Sequence, residues 1–327
     1  MSDASSIPQP RPDRTVPPFL GRPRHRLAVV LTSGVLIAGL WWLALHRITV
    51  ERQQALAAAL QSSAQLAAAY EQQVYRTLKA AEQVAAFVRE QYLRQGASLP
   101  LAAWVQQGVI RESMFRIISV VDERGEIVSS SQVTGRVNYA DRDFFRLQRE
   151  GREDALFVSP PVLGRVTGSW QIPMSLRITR ADGSFGGVVV MSVDPGNFTA
   201  FYGEADLGAQ GLLELTGLDG VVRGRKIGQE NRFGMDARRL PWFQRQAAQA
   251  QGAFVDEGLE VDGVPRLLGY RRMESYPLLV AVGTAVDEAL AVVQPRHTRY
   301  RLWAVGISTL LLVIAALVLR GRGTRPA

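Results

Sequence analysis

Two uncharged apolar runs, one near each end of the chain, constrain this sequence most. Leu27 to Leu45 is 19 residues without a charge, bounded by Arg26 and by His46-Arg47. Leu302 to Leu319 is 18 residues without one, bounded by Arg301 and Arg320. At about 1.5 Å per helical residue each reaches roughly 27–29 Å, close to the ~30 Å hydrocarbon core of a bilayer. Buried core helices are a rival reading, but basic flanks on both runs argue against it. A cleaved signal peptide is a rival for the first run, yet no small-residue cleavage site follows at Arg47-Ile48-Thr49. The expectation is two transmembrane helices, 27–45 and 302–319, around one large segment.

Charge gives an expected orientation. Residues 1–26 hold five Arg and two Asp, and residues 320–327 hold three Arg and no acid. Residues 47–300 hold 29 basic and 28 acidic side chains, so the formal +8 of the chain comes mostly from its tails. By the positive-inside rule both termini are cytoplasmic, and the middle is periplasmic or extracellular at a bacterial inner membrane. Trp41, Trp42, Tyr300 and Trp303 lie at the outer ends of the runs, where an interfacial aromatic belt forms. A topogenic origin for the positive charge removes the case for nucleic acid as a partner. Arginine outnumbers lysine 36 to 2, which fits a G+C-rich bacterial genome. Six prolines among residues 1–26 mark a disordered tail.

The chemistry available to the middle segment is narrow. Cysteine is absent and none of the three histidines lies between His46 and His297. Thiolate sites, histidine zinc sites and a Ser-His-Asp triad are therefore excluded there. The glycine-rich stretches 164–168 and 183–187 lack a phosphate-loop Gly-Lys-Ser/Thr, and the acids lack metal-loop spacing. The chain is expected not to be an enzyme and to hold no metal or cofactor.

Arg47 to Gln95 contains no Gly or Pro and is rich in Ala, Gln, Leu and Glu. This predicts one helix continuing from the first span, roughly 70 Å long outside it. Leu56, Leu60, Ala64, Ala67, Val74, Leu78, Ala81, Ala85 and Val88 form one apolar stripe. The stripe packs either on its own domain or on a second copy in a parallel homodimer. Then the period changes. Strands are expected at 115–121, 126–131, 156–158, 169–179 and 185–193, with a helix at 141–150 N-capped by Asp141. The plan recurs with strands at 212–216, 221–225, 252–261, 266–272 and 278–285 and a helix at 240–251. A helix over 287–301 leads into the second span, kinked at Pro295. The fold class is α+β: a long helix region over 46–112, a first module over 113–205 and a second over 206–290, flanked by the two spans.

The segments Asn138-Tyr139-Ala140-Asp141-Arg142-Asp143-Phe144-Phe145, Val158 to Pro173 and Gly183 to Asp194, on this topology, resemble the double Cache (tandem PAS-like) sensor family. The likeness is greatest to the sensor regions in front of bacterial diguanylate cyclases and histidine kinases, and it spans about residues 47–320. The resemblance implies that the first module is membrane-distal and holds a small-molecule ligand. In amino-acid-binding relatives a distal Arg grips the ligand carboxylate and a late-strand Asp receives the ammonium; Arg142 and Asp194 stand at those positions, while the residues alone also allow Arg142 to pair with Asp141 or Asp143 on the surface and Asp194, before Pro195, to cap the following helix. Phe144 and Phe145 replace the family's Trp and Tyr, and Val137 replaces a Tyr. An organic acid, an amine or another small polar solute is thus as open as an amino acid. Tyr139, Arg165 and Trp170 are further pocket candidates, although Trp170 reads first as core. Of the adjacent Phe144 and Phe145, one is expected in packing and the other in the pocket wall. Eight residues follow the second span, without kinase or cyclase motifs. The expected role is a membrane-anchored sensor that signals through a membrane partner, the alternative being a ligand-free interaction or assembly protein.

Overall fold

A computed structural model describes residues 22–110, 114–132 and 135–321. Gln53–Val292 is one compact unit; the described chain up to Arg52 and from Val293 belongs to another. Expectations for tail residues 1–21 and 322–327 lie outside the described residues. Residues 22–26, expected in the disordered tail, are helical: α1 runs from Arg22 to Gln95.

The other unit contains the first part of α1, up to Arg52, and the last helix, α8 (Gln294–Gly321). α1 and α8 are each long and apolar enough to cross a membrane. Their apolar side chains are exposed in both, among them Leu31, Val35, Leu43, Leu302, Leu310 and Leu317. Core helices of a soluble protein bury such residues, so two membrane-spanning segments are the reading that accounts for them. The expected kink at Pro295 appears as a break. A short helix, α7 (Val286–Ala291), ends before Val292, and α8 restarts at Gln294 with Pro295 in its first turn. There the missing N–H costs no hydrogen bond, whereas in a continuous helix the ring would meet the carbonyl of Ala291.

The compact unit holds two antiparallel sheets. The first contains β1 (Phe115–Val121), β2 (Ile127–Ser130), β3 (Phe157–Val158), β4 (Val162–Leu163), β5 (Trp170–Thr179) and β6 (Phe185–Val193), in the order β2-β1-β6-β5-β3 with β4 also on β5. The second contains β7 (Leu212–Gly217), β8 (Val222–Ile227), β9 (Glu230–Arg232), β10 (Gln251–Asp256), β11 (Arg266–Arg272) and β12 (Leu278–Ala285), in the order β10-β11-β12-β7-β8-β9. Short helices complete it: α2 (Leu101–Gln106), α3 (Asp143–Glu150), α4 (Pro195–Thr199), α5 (Phe201–Glu204) and α6 (Pro241–Arg245).

Strand alternation divides each sheet's side chains between two faces. Ile118, Val120, Val189 and Met191 of the first sheet share a core with Leu213, Leu215, Val280 and Val282 of the second and with the α1 residues Ala67, Val74, Leu78, Ala81, Ala85 and Val88. The predicted stripe of α1 from Ala67 to Val88 therefore packs on its own two sheets, while Leu56, Leu60 and Ala64 are partly exposed. The opposite faces carry separate small cores, Val188 and Val190 with Phe144 and Phe145 in the first sheet, Leu212 and Ala281 with Trp242 in the second.

Two expectations are corrected in the second sheet. The helix over 240–251 is a single turn at Pro241–Arg245, and the strand predicted over 252–261 ends at Asp256. Pro241 starts the helix, but Gln251 to Asp256 is claimed in register by β11, so pairing overrides the helical propensity of the Ala-Gln run. Gly258 then turns the chain, its carbonyl accepting from the amides of Val261, Asp262 and Gly263.

α1 crosses the second sheet at Gly269. A β-carbon there would lie 2.5 Å from the Ser63 carbonyl oxygen, while Ser63 Oγ donates to the Leu267 carbonyl at 2.7 Å. Gly269→Ala should push α1 off β11 and destabilise the unit by about 1–3 kcal/mol, the range for overpacking a filled core. Urea denaturation of the variant measures this; an unchanged midpoint would mean that the helix has room to move.

Candidate functional site

The cleft lies on the α3 face of the first sheet. Ile117 and Ser119 of β1 point to one face, as do Val190 and Ser192 of β6, and the register sets Ile117 opposite Ser192 and Ser119 opposite Val190. These four form a floor of two apolar and two hydroxyl groups, closed by Tyr139, Arg142 and Phe144 before and within α3, by Val162 to Arg165, and by Gln171. Its free volume is about 10 Å³, room for roughly one water.

The turn before α3 fixes Tyr139 and Arg142. Gly125, at φ +88°, lets residue 140 approach so closely that a β-carbon there would sit 2.6 Å from the Ala140 nitrogen. The Tyr139 amide donates to the Gly125 carbonyl at 2.7 Å, and Asn138 Oδ1 accepts from the Ala140 amide at 2.8 Å. Arg142 occupies the N-cap of α3, the place expected for Asp141. Asp141 instead receives a two-pronged ion pair from Arg165, at 2.8 and 2.6 Å. That pair holds the Asp141 carboxyl down at about 2. Asp141 therefore neutralises one of the two arginines of the cleft.

Arg142 is not neutralised in this way. Its Nη2 donates to the Leu163 carbonyl at 3.1 Å, and its Nε is buried and hydrogen-bonded to nothing in the chain. A buried, unpaired guanidinium N–H is costly unless a partner arrives. No Asp or Glu lines the cleft. Burial raises the Tyr139 phenol above its usual range, with Arg142 and Arg165 opposing the shift, so the hydroxyl stays protonated and can donate.

Of the seven residues singled out in the sequence, Tyr139, Arg142, Phe144 and Arg165 meet at this cleft. Phe145 is fully buried beside it, edge-on to Phe185 at 5.4 Å, so the two phenylalanines divide as expected. Asp194 does not line it. Its Oδ1 caps α4 by accepting from the Gly196 amide at 2.7 Å, and its Oδ2 pairs with Arg116. Burial opposes the charge on Asp194, but Arg116 and the Gly196 amide outweigh it and hold the carboxyl below its usual range. Trp170, read first as core, is half exposed at the start of β5 and packs against Phe233, which follows β9, at 5.4 Å. Ser119, Gln171 and Ser192 were missed. For Ser119 and Ser192 the signal was a small polar residue inside an apolar strand, which the alternation of β1 and β6 turns toward α3; Gln171, the second residue of β5, carried no such signal.

A larger open groove of about 770 Å³ lies between α1 and the β11–β12 loop. Of its charged lining residues, Glu71 and Arg271 pair with each other at 2.5 Å, and Arg272 and Glu274 are exposed to solvent.

Residues 195–283 match the family model dCache_1-like, described as a histidine kinase sensor domain. Among solved structures, the chain is similar to the extracellular domain of a protein assigned as the histidine kinase rpHK1S-Z16, with a TM-score of 0.65 and 24% identity over 72% of this chain and 98% of that one. It is similar also to the ligand-binding domain of the Pseudomonas fluorescens chemoreceptor CtaA in complex with L-isoleucine, with a TM-score of 0.55 and 13% identity over 74% and 98%. The ligand-binding domain of Mlp24 with asparagine gives a TM-score of 0.51 and 15% identity over 74% and 98%. No curated protein sequence matches the chain. The fold between the two candidate membrane helices is that of the double Cache sensor domains.

Proposed function

We propose that this chain is a membrane-anchored sensor whose first module binds a small carboxylate and whose change of state passes across the membrane to a partner protein. The observation that carries the reading is the buried, unpaired Nε of Arg142 in a cleft without acids. A guanidinium fork matches a carboxylate in two parallel hydrogen bonds. An ammonium would find no counter-charge there, because Asp194 is engaged by Arg116 outside the cleft. This favours organic acids over amines and over zwitterionic amino acids. The first module is membrane-distal in this reading and the compact unit lies outside a bacterial inner membrane, with both termini inside, an orientation that the arginine-rich tails support. Because the stripe of α1 from Ala67 to Val88 is already buried, a homodimer through this helix would use its opposite face there, or the partly exposed Leu56, Leu60 and Ala64 nearer the membrane.

The small free volume favours a second reading, a ligand-free assembly protein whose cleft has closed. A thermal-shift screen of fragment 53–292 against carboxylates, amines, amino acids, purines and polyamines decides between them. Ligand at 100 times its dissociation constant adds about 2.7 kcal/mol, or several degrees at roughly 2–4 °C per kcal/mol for a domain of this size. Stabilisation by simple carboxylates alone supports the sensor reading. A folded fragment that responds to nothing supports the second.

A further inference from the structure

Where α1 and α8 leave the apolar runs, they are joined by a buried polar cluster. Glu51 of α1 lies six residues beyond Leu45, and His297 and Tyr300 of α8 lie just before Leu302. Glu51 Oε1 is well supplied: Tyr300 donates its hydroxyl at 2.9 Å and Arg47 its Nε at 3.0 Å. Glu51 Oε2 accepts nothing. It faces His297 Nε2 at 3.7 Å, and both atoms are buried without a hydrogen bond. Two buried polar atoms turned toward each other, both unsatisfied, lack one proton between them.

We propose that this pair is a proton-binding site, and that its protonation draws α1 and α8 together at the outer membrane surface, giving the chain a second input, external pH. A protonated His297 donates from Nε2 to Glu51 Oε2 and forms a charge-assisted hydrogen bond between the helices. A neutral ring with Nε2 unprotonated turns a lone pair toward the carboxylate, and the two helices lose that tie. Imidazole is the side chain whose ordinary titration falls between pH 5 and 8.

The surroundings keep Glu51 ionised across that range. The Tyr300 hydrogen bond lowers the carboxyl most; burial opposes it, and Arg296 and Arg47 lower it further. These are the charged groups that act on Glu51 from both helices, and Arg301 stands one turn beyond His297 on α8. Among these groups it is the Glu51 carboxylate that the structure sets against His297 Nε2, at 3.7 Å. A metal ion is a poorer occupant, since no cluster of three or more His, Cys, Asp or Glu side chains occurs among the described residues.

The chain has no cysteine, so the full-length protein in lipid nanodiscs can be spin-labelled at two introduced sites, Thr49→Cys and Thr298→Cys, both exposed. The dipolar broadening between the labels reads the approach of the two helices. The expected result is stronger broadening at pH 5 than at pH 8, following a one-proton curve, with loss of all pH dependence in Glu51→Gln and in His297→Gln. His297→Lys, which keeps a positive charge, should hold the low-pH broadening at both pH values, and the helicity of each variant checks its folding. Identical spectra at pH 5 and 8 in the parent protein, or a pH response that survives His297→Gln in a folded protein, would overturn the proposal.

Discussion

Replacing Arg142 by alanine should weaken the binding of a small carboxylate by roughly 30- to 1000-fold, the equivalent of about 2–4 kcal/mol lost when one side of a buried charge pair is removed. The size follows from the position of the side chain. Among the described residues the Arg142 side chain makes one hydrogen bond, to the Leu163 carbonyl, and its Nε remains unsatisfied. Most of its bonding capacity is therefore available to a ligand. For the same reason the ligand-free protein should lose little stability in the variant. Arg142→Lys should fall between the two, since an ammonium keeps the charge but not the planar fork. Arg165→Ala should cost less, because the Arg165 guanidinium is already occupied by Asp141. Calorimetric titration of fragment 53–292 with the carboxylate found in the screen measures all three. Equal affinity in the parent and in Arg142→Ala would remove Arg142 from the site and the carboxylate reading with it.

A free volume of about 10 Å³ also implies that a ligand larger than one water must displace part of the wall. The wall is least constrained at Val162–Leu163, a two-residue strand with Leu163 exposed, paired only with the edge of β5. Motion there would move the Leu163 carbonyl, and so release the one internal hydrogen bond of Arg142 as the ligand replaces it. Binding and loosening of this segment are then a single event, which supplies the difference in affinity between two states that any sensor requires.

The fold was more legible in the sequence than the site. Short apolar runs such as Leu278 to Ala285 and turn pairs such as Asp182-Gly183 set ten of the strands, since strand-length apolar runs and positive-φ turns act locally. What escaped was decided by partners distant in sequence. β9, only Glu230 to Arg232, exists because β8 offers it an edge, and α6 is cut short because β11 claims the residues after it. The site divides in the same way. Tyr139, Arg142, Phe144 and Arg165 belong to motifs that keep them within 30 residues of one another. The cap that Asp194 makes on α4 follows from Asp194-Pro195, but its second partner, Arg116, lies 78 residues away and is brought beside it by the pairing of β1 with β6. No spacing in the sequence shows that this carboxylate is already taken.

The second module has a polar group where the first has a cleft, and there the largest loss of stability is expected. Glu214 on β7 faces away from α1, as Ser119 does on β1, and it is fully buried. Its Oε2 pairs with Arg225 Nε at 2.5 Å, while its Oε1 accepts from Trp242 Nε1 at 3.0 Å and from Thr216 Oγ1 at 2.7 Å. One carboxylate thus satisfies a cation, an indole and a hydroxyl, and the module fills its own interior with charge that the first module leaves for a ligand. Glu214→Ala should cost about 3–5 kcal/mol, because it leaves the Arg225 charge buried without a partner. Arg225→Ala should cost a similar amount by stranding the carboxylate. Glu214→Leu combined with Arg225→Met should restore most of this stability, since apolar replacement of a whole buried pair is often neutral or better. Urea denaturation of the four proteins at constant slope measures these differences. Single variants within 1 kcal/mol of the parent would mean that water reaches the pair; a double variant worse than either single would mean that the charges themselves hold β7 and β8 in register.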